Sequence, residues 1–333
     1  MTDERDGPVK AVVQELRERG CRTFVAGTQS LPDGTRGVTA SIEPGAPRGI
    51  HDDDGRFVRF DELRSVWAWR PHSPKAGHPD PDVSRYLDKE WRLALAGLAQ
   101  GSQPLWVNHP RAERWLEGNK LAQLALARAC GLAVPETIQS SVPDHVVAFA
   151  ERFSAVAVKT AGGFLRQVDD CARFAYTQRM TAEELHRSRR AIAAAPVLVQ
   201  PYVEKRFEVR VTAVGDRIFA TKIDSQASER TRIDWRRYDF GSVEHESYAL
   251  PTRLRAKVAR LMERADLFYA AIDLIVTPGG DHVFLELNPS GQYQWLETLT
   301  GAPITAAIAD LLSRGSRRPV QPTAVRPVDL LRA

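Results

Sequence analysis

The stretch FLELNPSGQ, residues 284–292, places a carboxylate, Glu286, and an amide, Asn288, two positions apart in an otherwise apolar strand-like run. The preceding AAIDLIVTPGGDHVFLEL reads as two antiparallel strands folded about Gly279 and Gly280, and counting outward from that turn sets Asp273 directly opposite Glu286. Opposed carboxylates repel, so a strand pair that keeps them has a use for the charge. Side chains alternate along a strand; Asn288 therefore shares a face with Glu286, while Leu285 and Leu287 turn away. Two carboxylates and an amide oxygen form a hard ligand set, suited to Mg2+ or Mn2+ held together with phosphate oxygens. A merely solvated face is the plainer alternative. Ala271, Ile275 and Phe284, apolar residues on the same two faces, speak against it.

A second group of residues suits a nucleotide. AVAVKTAGG ends an apolar strand on Lys159 and follows it with Gly162 and Gly163, whose N–H groups can approach phosphate closely. The glycine-to-Lys-Ser/Thr spacing of the Walker loop is missing. Taken alone, Lys159 also reads as a solvated loop lysine, and Lys120 in GNKLAQLA as an ordinary surface-helix lysine. VLVQPYVEKRFEVR runs an apolar strand into a proline kink and out along a second strand with Glu208 and Arg210 on one face. Such a kink leaves backbone groups free to read an adenine edge, and the acid after it can accept from ribose hydroxyls. A plain inter-strand corner with a surface ion pair explains the same residues. DWRRYD sets Arg236 and Arg237 between acids; arginines clamp transferring phosphoryl groups, and such runs also occur in solvated loops.

These residues need elements to hold them, and the pattern supplies three units. The first, residues 1–108, reads α/β: a helix over VKAVVQELRERG ending at Gly20, a strand candidate RTFVAG, turns from Leu31 to Gly55, the strand-like LRSVWAWRP, a helix near VSRYLDKEWRLALAGLAQG, and a last strand in PLWVNHP. The second, residues 109–196, opens with a helix whose apolar stripe is Leu121, Leu124, Ala125 and Ala129, stopped at Gly131. It continues through the Lys159 strand and the helix TAEELHRSRRAIAAA, where Thr181 and Glu184 have capping-box spacing. The third, residues 197–315, begins at VLVQP, turns at VGDR, carries a helix from about Pro251 to Leu267, and closes with the carboxylate hairpin. The tail, residues 316–333, is rich in proline and arginine and is expected to be loosely ordered.

Composition narrows the function. At 333 residues the chain can bury more than one core. Its apolar runs break well short of the roughly 20 residues of a membrane helix, so a cytoplasmic protein with no membrane partner is expected. The three cysteines stand singly, without metal or redox spacing. A net charge of +4, spread among 42 acids, gives no nucleic-acid footprint and suits an anionic small ligand or an acidic peptide.

In this order the pieces resemble the ATP-grasp superfamily: Lys120 at the entry to the central unit, Lys159 before a small-residue loop, the VQPYVEK hinge, and a closing Asp…Glu-x-Asn-Pro set, over about Trp106 to Leu312. WVNHP, LAVPET, EVRVTAVGDRIFA, DWRRYD, AIDLIVTPGG and FLELNPSGQYQWLE are similar to segments of the graspetide synthetases, the microviridin-type peptide maturases; VWAWRP extends the likeness into the first unit. The usual first strand has no counterpart before the opening helix, which points to a misassigned start or a trimmed first domain.

The resemblance implies an α/β (α+β) ATP-grasp fold, with an N-terminal pre-ATP-grasp domain and two ATP-grasp subdomains holding ATP between them. It assigns Lys120 and Lys159 to the α- and β-phosphates. Gln200, Tyr202 and Val203 would line the adenine pocket, the last two by backbone, and Glu208 would bind ribose. Asp273, Glu286 and Asn288 would hold magnesium, while Arg210 and Arg236 face the γ-phosphate or an acyl phosphate. Many ATP-grasp enzymes carry a basic residue two positions before the metal aspartate; Ala271 stands there, which gives Arg236 the missing charge to supply. The implied reaction phosphorylates a side-chain carboxylate of a ribosomal precursor peptide, with a leader and an acidic and hydroxyl-bearing core. A hydroxyl or amine of the peptide then attacks, giving ω-ester or ω-amide macrocycles. An intermolecular ligase of the ribosomal-protein glutamate ligase type and a catalytically inactive nucleotide-binding module are the competing readings, and a homodimer is left open.

Overall fold

The computed structural model describes residues 6–28, 31, 37–43, 45–51, 55–100, 104–160, 165–168, 171–174 and 176–315, with the backbone alone for 165–168 and 171–174. Gly162, Gly163 and the tail 316–333 lie outside the described residues.

Helix α1 (Gly7–Glu18) has Pro8 in its first turn, where a missing N–H costs nothing, and stops before Gly20, whose φ of 72° favours glycine. Strands β1 (Gly37–Thr39), β2 (Gly49–His51) and β3 (Phe57–Arg59) form an antiparallel meander. Strand β4 (Ser65–Trp67), helix α2 (Pro81–Ala99) and strand β5 (Leu105–Val107) follow, with β4 and β5 paired in parallel across the helix. The Asp80 carboxylate caps α2 by accepting from the Asp82 N–H at 2.8 Å. RTFVAG, expected as a strand, joins no sheet among the described residues; an apolar run becomes a strand only where a sheet edge takes up its hydrogen bonds.

The second unit contains α3 (Pro110–Leu116), α4 (Lys120–Ala129), β6 (Ile138–Ser140), α5 (Pro143–Ala150), β7 (Val156–Thr160), β8 (Leu165–Val168), β9 (Cys171–Phe174), β10 (Gln178–Met180), α6 (Ala182–Arg187), α7 (Arg189–Ala194) and β11 (Val197–Pro201). Its sheet runs β10-β7-β11-β6, all antiparallel, and β8 pairs with β9 as a separate hairpin. Strand β11, which the sequence assigned to the third unit, therefore belongs to the second unit's sheet. The Thr181–Glu184 capping box is present, but the helix it opens breaks at Ser188, whose hydroxyl donates back to the Glu184 carbonyl at 2.8 Å. In α4 the buried stripe is Gln123, Leu124, Leu126 and Ala127, while Leu121 is exposed. A polar residue in that stripe, Gln123, explains the rotation: it accepts from the Leu287 N–H at 3.1 Å and donates to the Leu116 carbonyl at 2.7 Å.

The third unit comprises β12 (Phe207–Val214), β13 (Arg217–Ile223), β14 (His245–Ser247), α8 (Thr252–Arg264), β15 (Tyr269–Val276), β16 (His282–Asn288), α9 (Gln294–Thr300) and α10 (Ile304–Arg314). Its antiparallel sheet runs β14-β13-β12-β15-β16. One face of the central strands, Val209, Val211, Ala270, Ile272 and Leu274, packs against Leu124 and Leu126 of α4 and Val258 and Leu261 of α8. Each of the valine, isoleucine and leucine side chains, fully buried, contributes about 1.5–3 kcal/mol. Period two sends Glu208, Arg210 and Asp273 to the opposite face. Helix α10 returns to the first unit, where Ile304, Ile308 and Leu311 cluster with Val9 and Val12 of α1. Among the described residues, no helix is long and apolar enough to cross a membrane.

The hairpin of β15 and β16 departs from the counted register twice. At its tip Val276 pairs with His282, one residue off the count. A bulge between Asp273 and Leu274 then takes Leu285 out of the ladder, restoring the count, and Asp273 stands opposite Glu286. Leu285 consequently lines the cleft described below instead of turning from it, while Leu287 enters the core.

Candidate active site

Arg210, Asp273 and Glu286 stand in one register row across β12, β15 and β16. Arg210 Nη1 donates to both Asp273 oxygens at 2.8 Å, in a pair almost closed to solvent. The guanidinium lies 5.7 Å from the Trp235 ring and against Gly291, where an added Cβ would sit 2.7 Å from Arg210 Nη2 and 2.5 Å from the Ala271 Cβ. Glu286 receives Lys120 Nζ from the start of α4, and Arg236 Nη1 at 3.8 Å. Asn288 Nδ2 donates to Glu286 Oε1 at 3.2 Å.

The two carboxylates are unequal. Burial pushes Asp273 up to about 7 against the opposing pull of Arg210. Burial acts on Glu286 in the same direction, but Lys120 and Arg236 outweigh it and hold that carboxylate well below its ordinary range. One acid is therefore short of positive charge while the other is well supplied.

Facing this row is the sheet of the second unit, which presents Ala157 and Lys159 from β7 and Gln200 from β11. Lys159 Nζ donates to Gln200 Oε1 at 3.0 Å, and Gln200 Nε2 donates to Thr137 Oγ1 at 3.0 Å. Burial, then the nearby Lys120 charge, lowers Lys159 to about 8. A lysine so placed gains from an approaching anion. Between the two sheets lies a cleft of about 320 Å³ whose lining also includes Tyr202, Val203, Glu208, Arg236 and Asn288.

Tyr202 and Val203 lie in the irregular link between β11 and β12. The Tyr202 N–H is already given to the Ala155 carbonyl at 2.9 Å, so its carbonyl and the Val203 N–H are the backbone groups that suit a base edge. Glu208 is buried and raised by that burial, against the ammonium of Lys205 at 2.6 Å. Arg236 is engaged mainly by Asp234, with Nε at 2.8 Å and Nη2 at 2.6 Å. Asp234 also accepts the Thr177 N–H at 3.0 Å, tying the second unit to the third. The charge beside Asp273 is thus supplied by Arg210, and the Arg236 side chain serves Asp234 and Glu286. Arg210 itself lies behind Asp273 and does not line the cleft.

Asn108 and Glu113 hold this frame from outside. Asn108 Nδ2 donates to the carbonyls of Tyr269 and Pro289 at 2.8 and 2.9 Å, while its Oδ1 accepts the N–H groups of Phe268 and Tyr269 at 2.9 Å each. Glu113, buried and pushed up to about 7, accepts from the Ser290 hydroxyl at 2.5 Å. Sequence reasoning missed Asn108, Glu113, Gln123, Lys205 and Asp234 as site supports. Asn108, Glu113 and Gln123 have partners far along the chain, while Lys205 and Asp234 sit beside acid and arginine partners that also read as a surface ion pair and a solvated loop.

Among the described residues no group of three or more His, Cys, Asp or Glu side chains could hold a metal ion. Asp273, Glu286 and Asn288 form a smaller set, two carboxylates and an amide. Their oxygen-only chemistry and the under-compensated charge at Asp273 fit a hard cation that arrives with phosphate ligands of its own.

No protein-family model matches the sequence, and no curated protein matches it. Solved structures do. A RiPP-associated ATP-grasp ligase of Chryseobacterium gregarium, in complex with ADP and a leader and core peptide, aligns over 95% of this chain and 96% of its own, with a TM-score of 0.85 and 24% identity. The macrocyclase MdnC of Microcystis aeruginosa, bound with precursor peptide MdnA, aligns over 95% and 98%, with a TM-score of 0.82 and 27% identity. The ATP-grasp ligase PsnB, complexed with a variant of its minimal precursor, Mg and ADP, aligns over 94% and 96%, with a TM-score of 0.74 and 23% identity. The chain has the ATP-grasp fold, built along nearly its whole length on the plan of these ATP-grasp ligases.

Proposed function

We propose that the protein is an ATP-dependent ligase that closes ω-ester or ω-amide rings in a ribosomally made precursor peptide. The reading is carried by Asp273 and Glu286, paired in register and facing Lys159 across one cleft, with Arg210 behind Asp273. The full-length likeness to peptide-bound ATP-grasp ligases supports the peptide as substrate.

The adenine lies at the hinge, against Gln200, the Tyr202 carbonyl and the Val203 N–H, with the ribose at Glu208. Lys120 and Lys159 hold the α- and β-phosphates. Asp273, Glu286 and Asn288 are the residues that would hold magnesium, with manganese as a substitute. The bound ion supplies neutralisation of the charge on the phosphates. A side-chain carboxylate of the peptide attacks the γ-phosphorus, the bond to the β-phosphate oxygen breaks, and ADP departs. Arg236, at the cleft wall, would face the transferred phosphoryl group, and Arg210 would support it from behind Asp273. A Thr or Ser hydroxyl, or a Lys amine, then attacks the acyl carbon and phosphate leaves. The net change is one ATP hydrolysed to ADP and phosphate and one water lost from the peptide per ring.

The test is incubation of the protein with Mg-ATP and the precursor peptide, followed by mass spectrometry. Loss of one water per link, with matching phosphate release, is the expected outcome. A gain of residue mass with free glutamate present would instead identify an intermolecular ligase, and an unchanged peptide with no ADP would leave only nucleotide binding.

A further inference from the structure

Beside the phosphoryl end of the cleft lies a surface that the reaction chemistry does not use. Trp235 belongs to the cleft wall, and its other side meets Trp295 of α9 at 5.3 Å between ring centroids. Tyr238 meets Trp235 edge-on at 5.6 Å and stacks with Phe240 at 5.2 Å. Phe240 lies 6.3 Å from Trp295, and His245 closes the group at 5.5 Å from Trp295.

Despite this packing, Tyr238 is 41% and Phe240 55% exposed. Large rings held together in water, instead of folded inward, mark an interaction surface. Tyr238 also has a φ of 39°, uncommon for a residue with a side chain, and that conformation helps to keep the ring outward. The loop is fixed in advance: the Asp239 carbonyl accepts the N–H groups of Ser242 and Val243 at 3.1 and 2.9 Å, and its carboxylate accepts from the Ser228 hydroxyl at 2.6 Å.

Position and charge identify the occupant. Trp235 lines the cleft beside Arg236 and lies 5.7 Å from the Arg210 guanidinium, while His245 stands in the Glu208 row through Ile223, so the aromatic group flanks the cleft beside its phosphoryl end. With its base at the hinge, a nucleotide would set its phosphates beside this flank, within reach of a carboxylate held on it. Arg237, next to Tyr238 in the chain, brings a positive charge to this loop. Arg237 stacks at 5.1 Å from the Tyr176 ring centroid, its Nε is buried without a hydrogen-bond partner, and among the described residues it has no carboxylate partner.

We propose that Tyr238, Phe240 and Trp295 form a docking surface for a large apolar or aromatic side chain of the acidic peptide segment that carries the reacting carboxylate. This rests on the peptide-ligase reading and adds a rule to it: reactive acids have a bulky apolar neighbour.

The test uses two versions of the leader-bearing precursor peptide, identical except for phenylalanine or alanine two positions before the reacting glutamate. ADP formation is measured against peptide and against ATP, for wild type, Phe240→Ala and Phe240→Leu. We expect wild type to show a lower KM for the phenylalanine peptide, on the order of tenfold, as burial of one large apolar side chain gives. Phe240→Ala removes that preference, Phe240→Leu restores part of it, and KM for ATP is unchanged in both. Stimulation of wild type by both peptides without preference overturns the docking surface alone. No stimulation by either peptide overturns the peptide reading and the surface with it. A dimer that dissociates in Phe240→Ala on sedimentation assigns the surface to a second copy and also overturns the proposal.

Discussion

Replacement of Asn108 tests whether the carboxylate hairpin is held by hydrogen bonds or by shape. Its side chain makes four bonds to the backbone around the open end of β15 and β16, and it is buried. Asn108→Ala leaves two N–H groups and two carbonyls without that partner. A buried polar group left unpaired costs about 1–3 kcal/mol, and carbonyls tolerate it better than donors. The two donors alone set the loss at roughly 2–6 kcal/mol, and about 4 kcal/mol is expected. That is a large share of a typical folding free energy of about 5–15 kcal/mol. Asn108→Asp is the sharper variant. It keeps the shape and the accepting oxygen, but sets a second oxygen against the carbonyls of Tyr269 and Pro289, where 2.8 and 2.9 Å donor contacts stood. Denaturant unfolding followed by tryptophan fluorescence measures both. Because Pro289 follows Asn288, KM for ATP should rise in parallel. An Asn108→Asp protein within about 1 kcal/mol of wild type would refute the hydrogen-bond account, because a contact governed by shape alone would not sense the change.

Three further outcomes are expected. Glu286→Gln keeps the fold, seen as an unchanged circular dichroism spectrum, but lowers peptide-dependent phosphate release by about a hundredfold or more, the scale of a lost electrostatic clamp; near-normal turnover would sink the assignment of Glu286. Gly291→Ala drives a Cβ to 2.5 Å from the Ala271 Cβ and 2.7 Å from Arg210 Nη2, and should cost about 1–3 kcal/mol with impaired turnover, partly restored by adding Ala271→Gly. Wild-type stability in the single variant would show that the loop has room. Glu113, pushed by burial from 4.5 to about 7, favours folding while protonated, so its contribution is intact below pH 4.5 and is lost as pH rises through 7. That displacement is worth roughly 3 kcal/mol, so Glu113→Gln should match wild type near pH 4.5 and exceed it in Tm at pH 8, and a pH-independent difference would refute this.

How far the site could be read from the sequence depended on the range of each interaction. The capping box at Thr181 and the stop at Gly20 are local, and both stand as the residue types demanded. RTFVAG and the stripe of α4 were not local questions. Whether an apolar run becomes a strand depends on a sheet edge elsewhere in the chain, and the buried side of α4 was turned by a glutamine that serves Leu287, 164 residues away.

The opposition of Asp273 and Glu286 is the instructive intermediate case. The count from the turn reached the right pair although the tip pairs one residue off, because the bulge at Leu285 restores the lost residue. Sequence alternation cannot reveal two such compensating steps; each would, alone, have turned every later side chain to the other face. The pair survives because it is fixed from beyond the hairpin. Arg210 holds one acid, Lys120 the other, and Gln123 and Asn108 fasten the backbone beside them. Opposed carboxylates that would repel as a two-stranded ribbon are stable here because cations from two other elements meet them. Those cations also bear on the proposed function: Arg210 holds both Asp273 oxygens, which a divalent ion would need, so keeping the guanidinium and binding an ion would be competing uses of one carboxylate.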